Sequence, residues 1–219
     1  MPFPATAPPR QPRRPAPVAA GALPPAVVLA GSARLAGTST TAAVLAASAA
    51  ALGRPARVEA PGDAPSDPPN AEPGAAPNDG TLRLVDAGAE LAGVREALTR
   101  NPGALLLLVT GTAPAALAAA FALVKATAPA PAELVVVGGD PAEAAAAHAR
   151  LDEAARLFLG RTVRLAAAVP EDPSLAVALA AGMPVHDAAA GSPAAAALHA
   201  LAERAIAGPP QLAPAFALA

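Results

Sequence analysis

The chain has 219 residues, room for one α/β domain with flanking segments. It is 54% hydrophobic, 15% charged and 2% aromatic, with 28 prolines, and alanine fills about a third of its positions. Four Phe without Trp or Tyr leave little for bases to stack on, and a net charge of −2 lacks the basic clustering of a duplex-binding surface, so nucleic acid is not an expected partner.

The absence of cysteine removes disulfides, thiolate nucleophiles and cysteine metal sites. The three histidines, His148, His186 and His199, are too scattered for a zinc site. Of the 15 basic residues, only Lys125 is a lysine. The most apolar run, Ala113 to Val124, contains Pro114 and falls short of the roughly 20 residues that span a bilayer. The first 25 residues hold no continuous apolar stretch of signal-peptide type, so a cytoplasmic setting is expected.

Residues 1–25 read as a disordered, proline-rich arm carrying Arg10, Arg13 and Arg14. Ala26 to Ala30 is a short apolar run of buried-strand type. After a turn from Gly31 to Gly37, an alanine-rich helix opens at Thr38-Ser39-Thr40-Thr41 and stops near Gly53, its hydroxyl residues being suited to capping. Residues 56–60 form a second short strand, and 61–80 a flexible loop. Thr81 to Asp86 is a strand ending in an acid. Then follow a helix at 90–100, a strand from Ala104 to Thr110, a helix at 114–127 and a strand from Glu133 to Val137. A long helix at 141–159 places Arg150, Asp152, Glu153 and Arg156 on its polar side. A strand at 162–168, helices at 174–181 and 193–207, and a proline-interrupted tail at 208–219 complete the chain.

Apolar strands alternating with helices imply an α/β fold, a mostly parallel sheet with helices on both faces. Such sheets bind ligands beyond the carboxyl ends of their strands, so the candidate site lies in the strand-to-helix turns. The first turn, Gly31-Ser32-Ala33-Arg34-Leu35-Ala36-Gly37-Thr38-Ser39-Thr40-Thr41, has the layout of a phosphate-binding loop, where backbone N–H groups and a helix N-terminus face an anion.

This loop resembles the deviant Walker A motif of the MinD/ParA family, x-K-G-G-x-G-K-[ST]-[ST]. On that register Gly37 keeps the last glycine, Ser39 keeps the magnesium-binding hydroxyl, and Thr40 and Thr41 continue the helix start. The signature lysine falls at Ala33, two glycines at Arg34 and Leu35, and the P-loop lysine at Thr38. Leu84-Val85-Asp86-Ala87-Gly88-Ala89 resembles the switch segment of the FlhG-type branch, regulators of flagellar number. Further matches to that branch run through Leu107 to Leu117, Phe121 to Lys125, Arg156 to Gly160, Val169 to Pro173, Gly182 to Val185 and Gly191 to Ala195. No single piece is specific; their order and spacing are.

The departures fall where nucleotide would be held. The family's V-D-A-D is Val58-Glu59-Ala60-Pro61, and its base-recognising asparagine falls at Gly138. The branch's N-terminal motif, linked to stimulating a partner GTPase, is not recognisable in residues 1–25. The resemblance therefore implies a P-loop NTPase architecture over 26–207 with a degenerate site made of Gly31, Gly37, Thr38, Ser39, Thr40 and Asp86. Ser39 and Asp86 would meet a metal only if Mg-nucleotide binds.

Phosphoryl transfer depends on positioning and charge neutralisation, and neither lysine of the motif is present. The expectation is a non-hydrolysing regulatory or scaffold factor in flagellar placement or number control, with no resident cofactor and an SRP-type GTPase as the partner the resemblance implies. An atypical ATPase binding Mg-ATP through the 31–41 loop is the alternative, and a decaying gene product a third. Asp86 reads equally as a switch acid or as a strand-end acid bonded to the next turn. His148 and His199 read as exposed helical residues. Family dimers rely on the signature lysine, so a monomer or a dimer indifferent to ATP is expected. The family's membrane-seeking C-terminal helix has no counterpart in Pro209 to Pro214, so direct membrane insertion is not expected. A dinucleotide-binding domain, with Glu59 as its acid, is a rival that strand order decides: the Glu59 strand lies beside the first strand in that fold, the Asp86 strand in the MinD-like one.

Overall fold

The computed structural model describes residues 26–33, 37–60, 81–181, 183, 185–188 and 190–207. The arm at 1–25, the loop at 61–80, the tail at 208–219 and Arg34 to Ala36 lie outside these residues, as does the His186 side chain.

Six strands make one sheet: β1 (Val27–Gly31), β2 (Ala56–Glu59), β3 (Leu82–Asp86), β4 (Leu105–Thr110), β5 (Ala132–Val137) and β6 (Arg164–Val169). Their order is β2-β3-β1-β4-β5-β6 and every pairing is parallel. The helices are α1 (Thr38–Ala51), α2 (Leu91–Arg100), α3 (Pro114–Ala126), α4 (Pro141–Leu159), α5 (Pro173–Ala180), α6 (Val185–Ala188) and α7 (Pro193–Ala207). The expected elements are present within a residue or two. Only the single-turn α6, between two helices that were foreseen, has no sequence-based counterpart.

Strand side chains alternate between two cores, as the period of two requires. Val28, Ala30, Val85, Leu106, Leu108, Leu134 and Val136 pack with Val94 of α2, Leu117, Leu123 and Val124 of α3, and Leu151 of α4. Val27, Leu29, Leu84, Leu107, Val109 and Val135 face Val44 and Leu45 of α1 and Leu198 and Leu201 of α7. Each fully buried Leu or Val contributes about 1.5–3 kcal/mol. The strands supply most of this volume, while the alanine-rich helices bring small surfaces close to it. Among the described residues, no helix is long and apolar enough to cross a membrane.

Two local expectations change. The hydroxyl residues at 38–41 do not cap α1: its N-cap is Gly37 at φ 77°, which makes no side-chain cap bond. This backbone conformation is open to glycine and costly for other residues. On α4, His148 and Asp152 are not simply solvent-facing. Both are partly buried and turn toward Val163, whose N–H donates to Asp152 Oδ1 at 2.9 Å and whose carbonyl lies 2.8 Å from His148 Nε2.

Candidate functional site

Because all strands run the same way, their carboxyl ends gather one rim. β3 lies directly against β1, with Leu29 opposite Asp86 in register. This strand order removes the dinucleotide-binding rival. Glu59 sits on edge strand β2, with β3 between it and β1, and its carboxylate is already taken. Arg83 donates to it through Nε at 3.0 Å and Nη2 at 2.8 Å, and Arg57 Nε lies 2.5 Å away. Burial pushes this carboxyl's pKa up, but the hydrogen bond and charge of Arg83, helped by Arg57, hold it below the ordinary value.

The floor of the rim is fixed by backbone bonds. Gly31 N–H donates to Gly88 O at 2.8 Å, Ala87 N–H to Leu29 O at 2.9 Å, and Ser32 N–H to Val109 O at 2.9 Å. Ser32 Oγ donates to Thr110 Oγ1 at 2.9 Å, and Thr110 is fully buried. The first turn is thus pinned to β3 on one side and β4 on the other.

Across this floor Ser39 Oγ donates to Asp86 Oδ2 at 2.5 Å, and Gly88 N–H donates to Asp86 Oδ1 at 3.2 Å. Asp86 therefore serves two partners at once: the next turn's amide and the first hydroxyl of α1 that faces it. Thr38 is buried at 8% exposure, whereas Thr40 is exposed. Thr41 N–H reaches Gly37 O at 2.8 Å to make the first helical bond, and α1 has no acid in its first turn. Gly31, Ser39 and Asp86 thus converge, Gly37 sets the helix start, and Thr40 stands apart.

Charge is distributed unevenly along the rim. Among the described residues, the strand-to-helix turns at 87–90, 111–113, 138–140 and 170–172 hold Glu90, Asp140, Glu171 and Asp172 but no Lys or Arg. Lys125 occupies the last turn of α3, which leaves the rim at Pro114. Eleven residues of helix place it about 16 Å farther along the axis. The family's asparagine position is Gly138 at φ 82°, followed by Gly139 at φ 74°, and a Cβ on Gly139 would lie 2.6 Å from Glu143 Oε2. No group of three or more potential metal ligands occurs among the described residues.

Two further clusters on this rim went unread in the sequence. Asp140 and Glu143 form a reciprocal capping box at the start of α4, and the signal was present as Asp-Pro-Ala-Glu. Asp172 and Ser192 bond to each other across 20 residues at 2.5 Å, a long-range contact that no local pattern announces.

No family model matches the chain, and no curated protein does. Solved structures do match. The MinD septum-site-determining protein of Pyrococcus horikoshii, solved with Mg-ADP, aligns at a TM-score of 0.60 and 17% identity over 81% of this chain and 94% of that one. The MinD cell division protein of Aquifex aeolicus gives a TM-score of 0.60 and 15% identity, covering 85% and 98%. The MinD cell division ATPase of Pyrococcus furiosus gives 0.57 and 18%, covering 81% and 97%. The described chain has the α/β fold of the MinD-type P-loop NTPases.

Proposed function

We propose that this protein is a non-hydrolysing relative of the MinD/ParA ATPases, acting as a regulatory or scaffold factor through a single domain at 26–207. The observation carrying this reading is the rim itself. The Ser39 hydroxyl and the Asp86 carboxylate, the groups that would attend a magnesium ion, are bonded to each other at 2.5 Å. The other described strand-to-helix turns of this rim hold acids and no cation, while Arg34, inside the loop itself, lies outside the described residues. A triphosphate brought there meets repulsion that lysines offset in a working P-loop. The residues suit the metal end of Mg-nucleotide and not its phosphate end.

The sequence pieces shared with the FlhG-type branch support a setting in flagellar placement or number control, with an SRP-type GTPase as partner. Without a signature lysine at Ala33, the protein is a monomer or a dimer that ignores ATP. The uncapped start of α1, with Gly37 in a left-handed conformation, favours the second reading, an atypical Mg-ATP-binding ATPase using the 31–41 loop.

Isothermal titration with Mg-ATP separates the two. The first reading expects no saturable heat and no phosphate release; saturable binding that disappears in Ser39→Ala establishes the second.

A further inference from the structure

We infer that the groove between α1 and the first half of α7 binds a small uncharged amphiphile, an apolar body carrying one acceptor oxygen such as a ketone carbonyl. This does not rest on the reading above. The two helices cover the same face of the sheet and bury Val44, Leu45, Leu198 and Leu201 together. Their groove-lining residues recur at the spacing of a single helix face: Val44, Ser48 and Ala51 on α1, then Ser192, Ala196 and His199 across from them. Alanine and serine are too small to close this seam, and a groove of about 580 Å³ is left between the helices. That volume falls among those of small-molecule sites, which set a few placed polar groups in apolar walls.

Ser48 is the group that points to a ligand. It is only 8% exposed and lines the groove, yet its hydroxyl has no hydrogen-bond partner among the described residues. A serine in mid-helix ordinarily returns its hydroxyl to the carbonyl one turn earlier or points it into open solvent. Ser48 does neither. A polar group withdrawn from water without a partner carries a free-energy cost, so an acceptor oxygen brought by a ligand gains more here than at an exposed hydroxyl. Ser192 offers no such opening, since its Oγ already donates to Asp172 and accepts the Ala195 N–H.

The charge of the lining selects the class. Neither Lys, Arg, Asp nor Glu lines the groove, so a carboxylate or ammonium group would be desolvated there without a counter-ion. His199 stands at the exposed end, its side chain 43% exposed and its Nε2 3.8 Å from Glu203 Oε1, beyond hydrogen-bond reach. Its ring is available to a polar end of the ligand where water is also at hand. An apolar body with one deep acceptor and no net charge meets all three conditions.

The test is a nitrogen–proton NMR titration of the full chain with methyl pentyl ketone, alongside hexanoate and hexylamine as charged molecules of like length. Saturable shifts at the Ser48, Ala195 and Ala196 amides are expected with the ketone, and at least about tenfold weaker binding of both charged molecules. Ser48→Ala should weaken ketone binding about three- to tenfold, the worth of one net hydrogen bond. It should not lower the melting temperature, because the hydroxyl it removes has no partner. Ala196→Leu, at an exposed position, should fill the groove and abolish saturation while circular dichroism shows the protein folded. Shifts that fail to saturate or centre elsewhere overturn the proposal, as do equal binding of either charged molecule and affinity unchanged in Ser48→Ala. A melting temperature lowered by Ser48→Ala also overturns it, by showing that the hydroxyl is bonded within the fold. So does light scattering that shows self-association abolished by Ala196→Leu, which would make the groove a contact between copies.

Discussion

Ser192 Oγ donates to Asp172 Oδ2 at 2.5 Å while accepting the Ala195 N–H at 2.9 Å, and Asp172 Oδ1 accepts the Leu175 N–H at 3.1 Å. One pair of side chains thus caps α5 and α7 together. Since α7 carries Leu198 and Leu201 into the core, the start of a core helix depends on a hydroxyl 20 residues from the acid it holds. Ser192→Ala should lower stability by about 1 kcal/mol, the cost of a lost N-cap, and Ser192→Thr should recover most of it. Urea denaturation of the three proteins checks this.

Acid should destabilise the fold through two carboxyls. The Asp172 carboxyl is held below its ordinary pKa by the Ser192 hydroxyl and the Leu175 amide. Burial raises that of Glu59, but Arg83 and Arg57 outweigh it and leave it lowered. With both native values depressed, the unfolded chain binds more protons, so their stabilisation is complete above about pH 4–5 and drains away as pH falls through the native values. Glu59→Gln should cost about 1.5–3 kcal/mol at neutral pH, because hydrogen bonds to a charged group are lost. It should also flatten the acid limb. Denaturation series at neutral and acid pH test it, and parallel curves for the two proteins would refute the assignment.

Asp152 and His148, one turn apart on α4, grip the N–H and C=O of Val163 just before β6 begins. Two side chains thereby do what a neighbouring strand does elsewhere in the sheet. Asp152→Ala leaves the N–H of a residue only 1% exposed without an acceptor, costing about 1–3 kcal/mol. Asp152→Asn keeps the amide oxygen and should lose less. Hydrogen exchange at the Val163 amide should quicken in the alanine variant, and unchanged protection would show that the bond is not holding it.

Strand and helix existence was legible because apolar runs and alanine-rich periods are local signals. Strand order was not local: placing β3 between β1 and β2 needed the family resemblance, and the Leu29–Asp86 register agrees with it. Gly31, Gly37, Ser39 and Asp86 could be placed on one rim from their turns. What escaped was the partner each side chain takes. Hydroxyl residues at a helix start suggest capping, yet Gly37 makes the cap and Ser39 turns to Asp86, 47 residues away. His148 escaped for the same reason, since its acceptor arrives 15 residues later in the chain.

The Ser39–Asp86 bond gives the proposed function a structural test apart from nucleotide titration. If the hydroxyl's role is to hold the acid, Ser39→Ala should destabilise the protein by about 0.5–1.5 kcal/mol, the net worth of one hydrogen bond. Asp86→Asn should cost a similar amount, and the double variant no more than about the larger single effect, because both remove the same contact. Mg-ATP should leave the melting temperature of all four proteins unchanged, since only a ligand that prefers the folded state raises it. If instead wild type alone is stabilised by Mg-ATP, and Ser39→Ala loses that response without losing stability, the hydroxyl serves a metal-bound nucleotide and the closed pair is its resting arrangement.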